Sequence, residues 1–371
     1  MKVAITGARG FIGRNLAVAL QRDAVEVALL DVDDPPAAWA AAVRDAQVVF
    51  HLAGINRPEH EREFVEGNVG SLETLFQAFD ASQAPPVVVL TSSTQAAEEN
   101  PYGRSKAAAE RALESWAARS GGRAVIYRLP GVFGKWCRPN YNSVVATFCH
   151  NIARDLPIQI SDPSKSLEVV YVDDVVDRIR THLGDAPGSG VTRGQVAPVF
   201  RTTLGELANR LHAFRNSRET LLVPDTADAF TRRLLGTYTS YIPPDKLSYG
   251  LQVRTDARGS LAELLKAPSF GQIFVSRTLP GVTRGNHYHD LKIEKFCVLE
   301  GDAIIRFRSV LGGEVTEHRV SGTEFRVVDI PPGMAHHIEN VGQGEMVVLF
   351  WACEIFDPKR PDTYAAEVPR V

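Results

Sequence analysis

Short apolar runs alternate with helix-spaced stretches through the first half of the chain. Residues 2–6, 25–30, 48–51, 87–90 and 124–128 are rich in Val, Ile, Leu, Phe and Ala with few polar breaks. Strands covered on both faces read in this way. Helical spacing follows at 15–20, 71–79 and 102–118, and an apolar helix is expected at 144–152. The alternation predicts an α/β domain built on a doubly wound parallel sheet of Rossmann type. A further helix is expected at 201–214, then turn-rich mixed sequence from 224 to 244. Beyond 251 the pattern changes to short strands at 273–275, 296–299, 303–308 and 346–351. Pro280-Gly281, Gly312-Gly313 and Pro332-Gly333 separate them. That pattern predicts an all-β jelly-roll barrel, and so two domains, 1–245 and 246–371.

Composition narrows the partners. A length of 371 residues allows both domains a full core. The net charge is −3, and no basic run stands out. Neither a nucleic acid nor an anionic membrane is the expected partner. The four cysteines lack paired spacing and read as reduced thiols. A buried strand beginning at Val3 leaves no room for a signal peptide, and no apolar run approaches a membrane span. A cytoplasmic location is expected.

Thr6-Gly7-Ala8-Arg9-Gly10-Phe11-Ile12-Gly13 joins the first strand to the first helix. Backbone amides at such a helix start bind a pyrophosphate. The second strand ends in Asp31, where a carboxylate bonds the adenosine ribose and favours NAD. Arg9, inside the turn, favours the 2′-phosphate of NADP. The two signals oppose each other. His51-Leu52-Ala53-Gly54 ends the third strand at the carboxyl edge of the sheet, where ligands bind. Thr6, Gly7, Arg9, Gly10, Phe11, Ile12, Gly13, Asp31, Leu52 and Ala53 are therefore the expected cofactor contacts. Asn68, on the following helix, is a candidate anchor for water in the active site.

Thr91-Ser92-Ser93-Thr94 closes the strand at 87–90, so its hydroxyls emerge beside the cofactor. Tyr102 and Lys106 stand four apart on one helical face. An ammonium near a phenol favours phenolate, which suits Tyr102 to proton transfer at a carbonyl. Lys106 would also bind the ribose hydroxyls of the cofactor. The loop carrying Arg128, Lys135, Arg138, Asn140, Tyr141 and Asn142 resembles the substrate-side loop of nucleotide-sugar dehydrogenases, which implies that its cations, amides and aromatic planes meet a uridine diphosphate and a sugar.

In the barrel, His287 and His289 are two apart and share a strand face. Glu294 and His336 complete a four-donor metal site from neighbouring strands, leaving positions open. Three histidines and a carboxylate suit zinc, iron, manganese or nickel. Such a site polarises a ketone and makes the neighbouring carbon acidic, so its configuration can be inverted. Tyr288, Lys292 and a metal-bound hydroxide are all candidates to remove that proton.

These motifs resemble known families. Gly7/Gly10/Gly13, His51-Leu52-Ala53-Gly54, the Ser92-Ser93 strand end, Tyr102/Lys106 and Tyr171-Val172-Asp173-Asp174 resemble an extended short-chain dehydrogenase/reductase, a family that commonly acts on nucleotide sugars. The resemblance aligns Ser93 with the catalytic hydroxyl, with Ser92 as the fallback. Thr94-Gln95 stands where dehydratases of that family carry an Asp-Glu pair, which disfavours dehydration. The spacing from Gly281 to Gly301 and from Pro331 to Asn340 resembles the two cupin motifs. His336 is the fourth ligand by that spacing, although the adjacent His337 could compete.

Over nearly its whole length the chain resembles the bifunctional capsule-biosynthesis enzymes of the UDP-N-acetyl-L-fucosamine pathway. The resemblance implies that the cupin domain, with zinc, epimerises C3 of a UDP-2-acetamido-2,6-dideoxy-4-hexulose. The dehydrogenase domain would then reduce C4 with NADPH to UDP-2-acetamido-2,6-dideoxy-L-talose. NADP(H) is thereby favoured over NAD(H), and a homodimer is implied. Three other readings stay open: an NAD-dependent UDP-sugar 4-epimerase, a simple 4-keto reductase with a non-catalytic cupin, and a redox-sensing binding protein. Retention of Tyr102 and Lys106 speaks against the last.

Overall fold

The computed structural model describes residues 1–79 and 84–369. The chain divides into two compact units, Met1–His212 with Ala229–Pro243, and Ala213–Asp228 with Pro244–Val371.

The first unit is organised by a six-stranded parallel sheet. Its order is Glu26–Leu30, Lys2–Thr6, Ala46–His51, Val87–Ser93, Arg123–Leu129 and Gly190–Gly194. Alternate residues along these strands enter separate cores. Val3, Ile5, Phe50, Val89 and Tyr127 pack on one face, and Ala4, Val49, Val88, Leu90 and Ile126 on the other. This double burial is why the strands read as continuous apolar runs. The chain reverses direction across the sheet between Lys2–Thr6 and Ala46–His51, which creates the crevice where such sheets take ligands. The glycine turn and the Leu52-Ala53 segment both end there.

Most expected elements are present, with some boundaries moved. Arg201, Thr202 and Thr203 belong to a strand, Phe200–Thr203, and the helix begins after them at Leu204. Two β-branched threonines paired with Ser166–Tyr171 favour the strand. The mixed stretch at 224–244 contains a helix, Ala229–Ser240, which buries Phe230, Thr231, Leu234, Thr237 and Tyr238. Two threonines on its inner face had hidden the helical period.

The second unit holds two antiparallel sheets. One runs Val253–Asp256, Gly259–Ala267, Gly271–Thr278, Met346–Ala352, Glu294–Glu300, Val327–Ile330. The other runs Thr316–Ser321, Asp302–Ser309, Met334–Asn340, Thr283–Tyr288, Tyr364–Ala365. Phe296, Val298, Ile305, Phe307, Ile338, Val348 and Phe350 fill the space enclosed by them. Segment 213–228 joins this unit through hydrogen bonds between Leu221, Val223 and Lys266.

Candidate functional site

The nucleotide-binding edge is held tightly by backbone contacts. Gly7 has a φ of 69°, and a Cβ there would lie 2.7 Å from the Ala53 nitrogen. A Cβ on Gly13 would overlap the Gly7 carbonyl oxygen. Both positions therefore need glycine, and helix Phe11–Leu20 starts directly against the turn. Thr6 hydrogen-bonds His51 Nδ1 at 2.9 Å, tying the turn to the neighbouring strand. Burial pushes the His51 imidazole down to about 3, with the Lys106 charge adding to the effect, so it is neutral. The Arg9 amide donates to Asp31 Oδ2 at 2.8 Å, and the Arg9 guanidinium pairs with Asp31 and Asp33. The two residues with opposing cofactor preferences thus bind each other. A side-chain-free cradle, a helix start and a strand-end carboxylate fit a dinucleotide.

The structure separates the two serines. Ser92 Oγ donates to the buried Glu110 carboxylate at 2.6 Å. Ser93 instead faces the Tyr102 phenol and caps the Gln95 amide at 3.2 Å. Tyr102 and Lys106 lie on helix Pro101–Ser120, whose start Asn100 caps through the Gly103 amide at 2.8 Å. Lys106 Nζ donates to the Thr91 carbonyl at 2.9 Å. The expected lowering of the Tyr102 phenol is not what this geometry produces. Burial raises it, only partly offset by the Ser93 hydroxyl, while the ammonium is directed to the strand end. Burial lowers Lys106 to about 8, and the Glu110 charge opposes that shift.

Asn68 is buried in a π-helical turn, Glu66–Gly70. It bonds the Ile55 amide at 3.1 Å, the Ile55 carbonyl at 3.0 Å and Ser105 Oγ at 3.0 Å. These contacts fasten the loop after the third strand.

On the substrate side, a cavity of about 510 Å³ is lined by Arg57, Asn140, Tyr141, Asn142, Ser143 and Thr147, together with Val144. Of the expected contacts, Asn140 and Asn142 line it. Arg138 stacks over the Tyr141 ring at 4.8 Å. Lys135 is paired with Asp173 at 2.5 Å, and Arg128 forks onto Glu110 at 2.7–3.2 Å. Neither of those lines the cavity. Arg57 was not anticipated, because nothing in its local sequence ties it to a loop 84 residues away. Glu110 was also missed, although its spacing from Tyr102 and Lys106 puts all three on one helical face.

In the barrel, one donor atom from each of His287, His289, Glu294 and His336 lies within 4.8 Å of every other. Strand alternation selects them. His336 points inward with Ile338, whereas His337 faces the other way, to Asn286 at 3.0 Å and Arg306 at 3.2 Å. His289 Nε2 lies 3.2 Å from Glu294 Oε2, and His336 Nε2 lies 3.5 Å from the same oxygen. Each ring's other nitrogen faces a carbonyl: His289 Nδ1 that of Asp362 at 2.5 Å, and His336 Nδ1 that of Met334 at 3.1 Å. That pattern orients imidazoles for metal binding. His336 Nε2 is buried without a hydrogen-bond partner, as a metal donor would be. Burial, then the two neighbouring histidines, lower His287 to about 4. Burial raises the Glu294 carboxyl, but the facing His289 and His336 imidazoles outweigh it and hold the group at about 2. The donor set fits a divalent transition metal.

A cavity of about 210 Å³ adjoins these ligands, with Lys292, Phe274 and Gln272 in its wall. Tyr288 lies on the opposite face of its strand, against the Tyr364 ring at 5.2 Å. Of the two side chains considered for proton removal, only Lys292 lines the cavity, and its Nζ already donates to the Pro361 carbonyl at 2.7 Å.

Fold and site together define an NAD(P)-dependent oxidoreductase of short-chain dehydrogenase type, joined to a cupin-like β domain. The chain belongs to the NAD dependent epimerase/dehydratase family, whose model matches residues 3–189. Residues 254–364 match the polysaccharide biosynthesis C-terminal domain. The chain is 44% identical over 369 residues to the UDP-2-acetamido-2,6-beta-L-arabino-hexul-4-ose reductase of Pseudomonas aeruginosa, covering 99% of each. It is also similar to the capsular polysaccharide assembling protein CapF of Staphylococcus aureus. That crystal structure superposes with a TM-score of 0.92 at 42% identity, over 99% of this chain and 100% of the other. The spore coat polysaccharide biosynthesis protein SpsL of Bacillus subtilis is 26% identical over 122 residues, 30% of this chain and 81% of its own.

Proposed function

We propose that the chain is a bifunctional sugar-nucleotide enzyme of capsular polysaccharide synthesis. The barrel epimerises C3 of a UDP-2-acetamido-2,6-dideoxy-4-hexulose. The dinucleotide-binding domain reduces the C4 ketone to UDP-2-acetamido-2,6-dideoxy-L-talose. The full-length similarity to the Pseudomonas aeruginosa 4-keto sugar reductase carries this reading, because it spans both domains rather than one.

In the reductase site, Ser93 and Tyr102 hold the ketone oxygen, and Tyr102 gives it a proton. Lys106 would hold the ribose hydroxyls of the cofactor. NADPH, when bound, supplies the hydride. Gly7, Gly10 and Gly13 would admit its pyrophosphate, and Arg9 would exchange Asp31 and Asp33 for its 2′-phosphate. Asn140, Asn142 and Arg57 receive the uridine diphosphate side. In the barrel, His287, His289, Glu294 and His336 would hold a zinc ion, which when bound would polarise the C4 ketone and make C3 more acidic. The protein acts as a cytoplasmic homodimer, testable by light scattering on the purified protein.

NMR of the 4-keto substrate in D2O tests the whole reading. Deuterium should enter C3 without NADPH, and the C4 alcohol should appear once NADPH is added. Reduction without C3 exchange would leave a simple reductase with a non-catalytic barrel. Interconversion of a 4-hydroxy UDP-sugar and its C4 epimer, with no net consumption of cofactor, would favour the 4-epimerase.

A further inference from the structure

Three backbone amides converge on one carboxylate beside the histidine cluster. Asp290 donates to Asp362 Oδ1 at 2.9 Å, and Leu291 and Lys292 donate to Oδ2 at 3.0 and 2.7 Å. The carbonyl of the same aspartate accepts from His289 Nδ1 at 2.5 Å. Next to it, the Pro361 carbonyl and Thr363 hydroxyl accept from Lys292 Nζ at 2.7 and 3.4 Å. Residues 361–363 therefore clasp the turn 289–292 that joins Thr283–Tyr288 to Glu294–Glu300. Asp362 has a φ of 40°, unusual for a non-glycine residue. The clasp holds this conformation with both the carboxylate and the carbonyl turned to one loop.

The two buried histidines are oriented differently. His336 Nδ1 faces Met334, two residues away on its own strand. His289 Nδ1 depends on a segment 73 residues further along the chain. A histidine whose second nitrogen is fixed by a carbonyl has a set tautomer and ring direction. Loosening the clasp would free His289 and leave His336 in place.

We propose that Asp362 is a positioning residue for the metal centre, holding the 290–292 turn through its carboxylate and aiming His289 Nε2 through its carbonyl. This rests on the metal-binding reading of the barrel. The test uses the full chain, stripped of metal and titrated with Zn2+ against a chelating dye, then with Co2+ followed by its visible absorption. Asp362→Ala should weaken apparent Zn2+ affinity about 10- to 100-fold and alter the Co2+ bands as one imidazole donor is lost. Asp362→Asn keeps one acceptor oxygen and should fall between. Thermal melts of the metal-free proteins report folding; if the alanine variant does not fold, the asparagine variant decides. Affinity within about twofold of wild type, with unchanged Co2+ bands, would overturn the proposal, since second-sphere loss costs at least about tenfold. Wild-type protein that binds neither metal would instead refute the metal reading itself.

Discussion

The two candidate sites are assembled by opposite means. In the barrel, His287 and His336 stand on paired strands, and pleating sorts them from Tyr288 and His337. In the parallel-sheet unit, the groups stand where strands end, and each is aimed by a tether. Ser92 and Arg128 are fixed by Glu110, Lys106 by the Thr91 carbonyl, and Asn68 by Ile55 and Ser105. A strand face supplies geometry directly, whereas a sheet edge needs supporting polar contacts. The barrel departs from its own rule at His289, on the strand-ending turn, and there a tether reappears in Asp362.

The sharpest way to break this comparison is to disable one site and read the other. Tyr102→Phe should lower the rate of C4 reduction by about 10²- to 10⁴-fold, the range for a lost general acid, measured by NADPH oxidation. Proton exchange at C3 should persist. His336→Ala should abolish C3 exchange and metal content in a chelator-washed sample, yet leave NADPH binding unchanged by fluorescence titration.

Ser93 and Ser92 offer a finer comparison within one strand. Ser93→Ala should reduce the reduction rate by about 10²- to 10³-fold through loss of one hydrogen bond to the reacting oxygen. Ser92→Ala should leave the rate near wild type and cost about 1–2 kcal/mol in urea unfolding, because a buried carboxylate loses a donor. Equal kinetic damage from both would contradict the separation seen here.

A still smaller effect concerns pH. Lys106 is active as the ammonium, and burial lowers it to about 8 against the opposing Glu110 charge. The charged form is lost as pH rises through that value, so reduction should decline on the alkaline side. Glu110→Gln removes the opposing charge and should move that decline to lower pH in a kcat profile. A profile unmoved while kcat falls would leave Glu110 a purely structural group.

These comparisons also mark what the sequence made legible. The cupin-like spacing between Gly333 and Asn340 ranks His336 above His337, and continuous apolar runs announce the parallel strands, because both are local features of the chain. The helix Ala229–Ser240 was hidden because Thr231 and Thr237 occupy its buried face. The roles of Glu110 and Asp362 lie further from reach. Arg128 reads as a free cation until the fold brings Glu110 beneath it. Asp362 sits between Pro361 and Thr363 with no period linking it to His289. Local periodicity identifies groups that perform chemistry more readily than groups that hold them.

The most direct test is C3 deuterium exchange and C4 reduction measured side by side for wild type, Tyr102→Phe and His289→Ala in D2O. Exchange without reduction in the first variant, and loss of exchange with NADPH binding intact in the second, are the results expected of two separate sites. If either substitution removed both activities from a protein that melts normally, the division of labour between barrel and sheet would be contradicted.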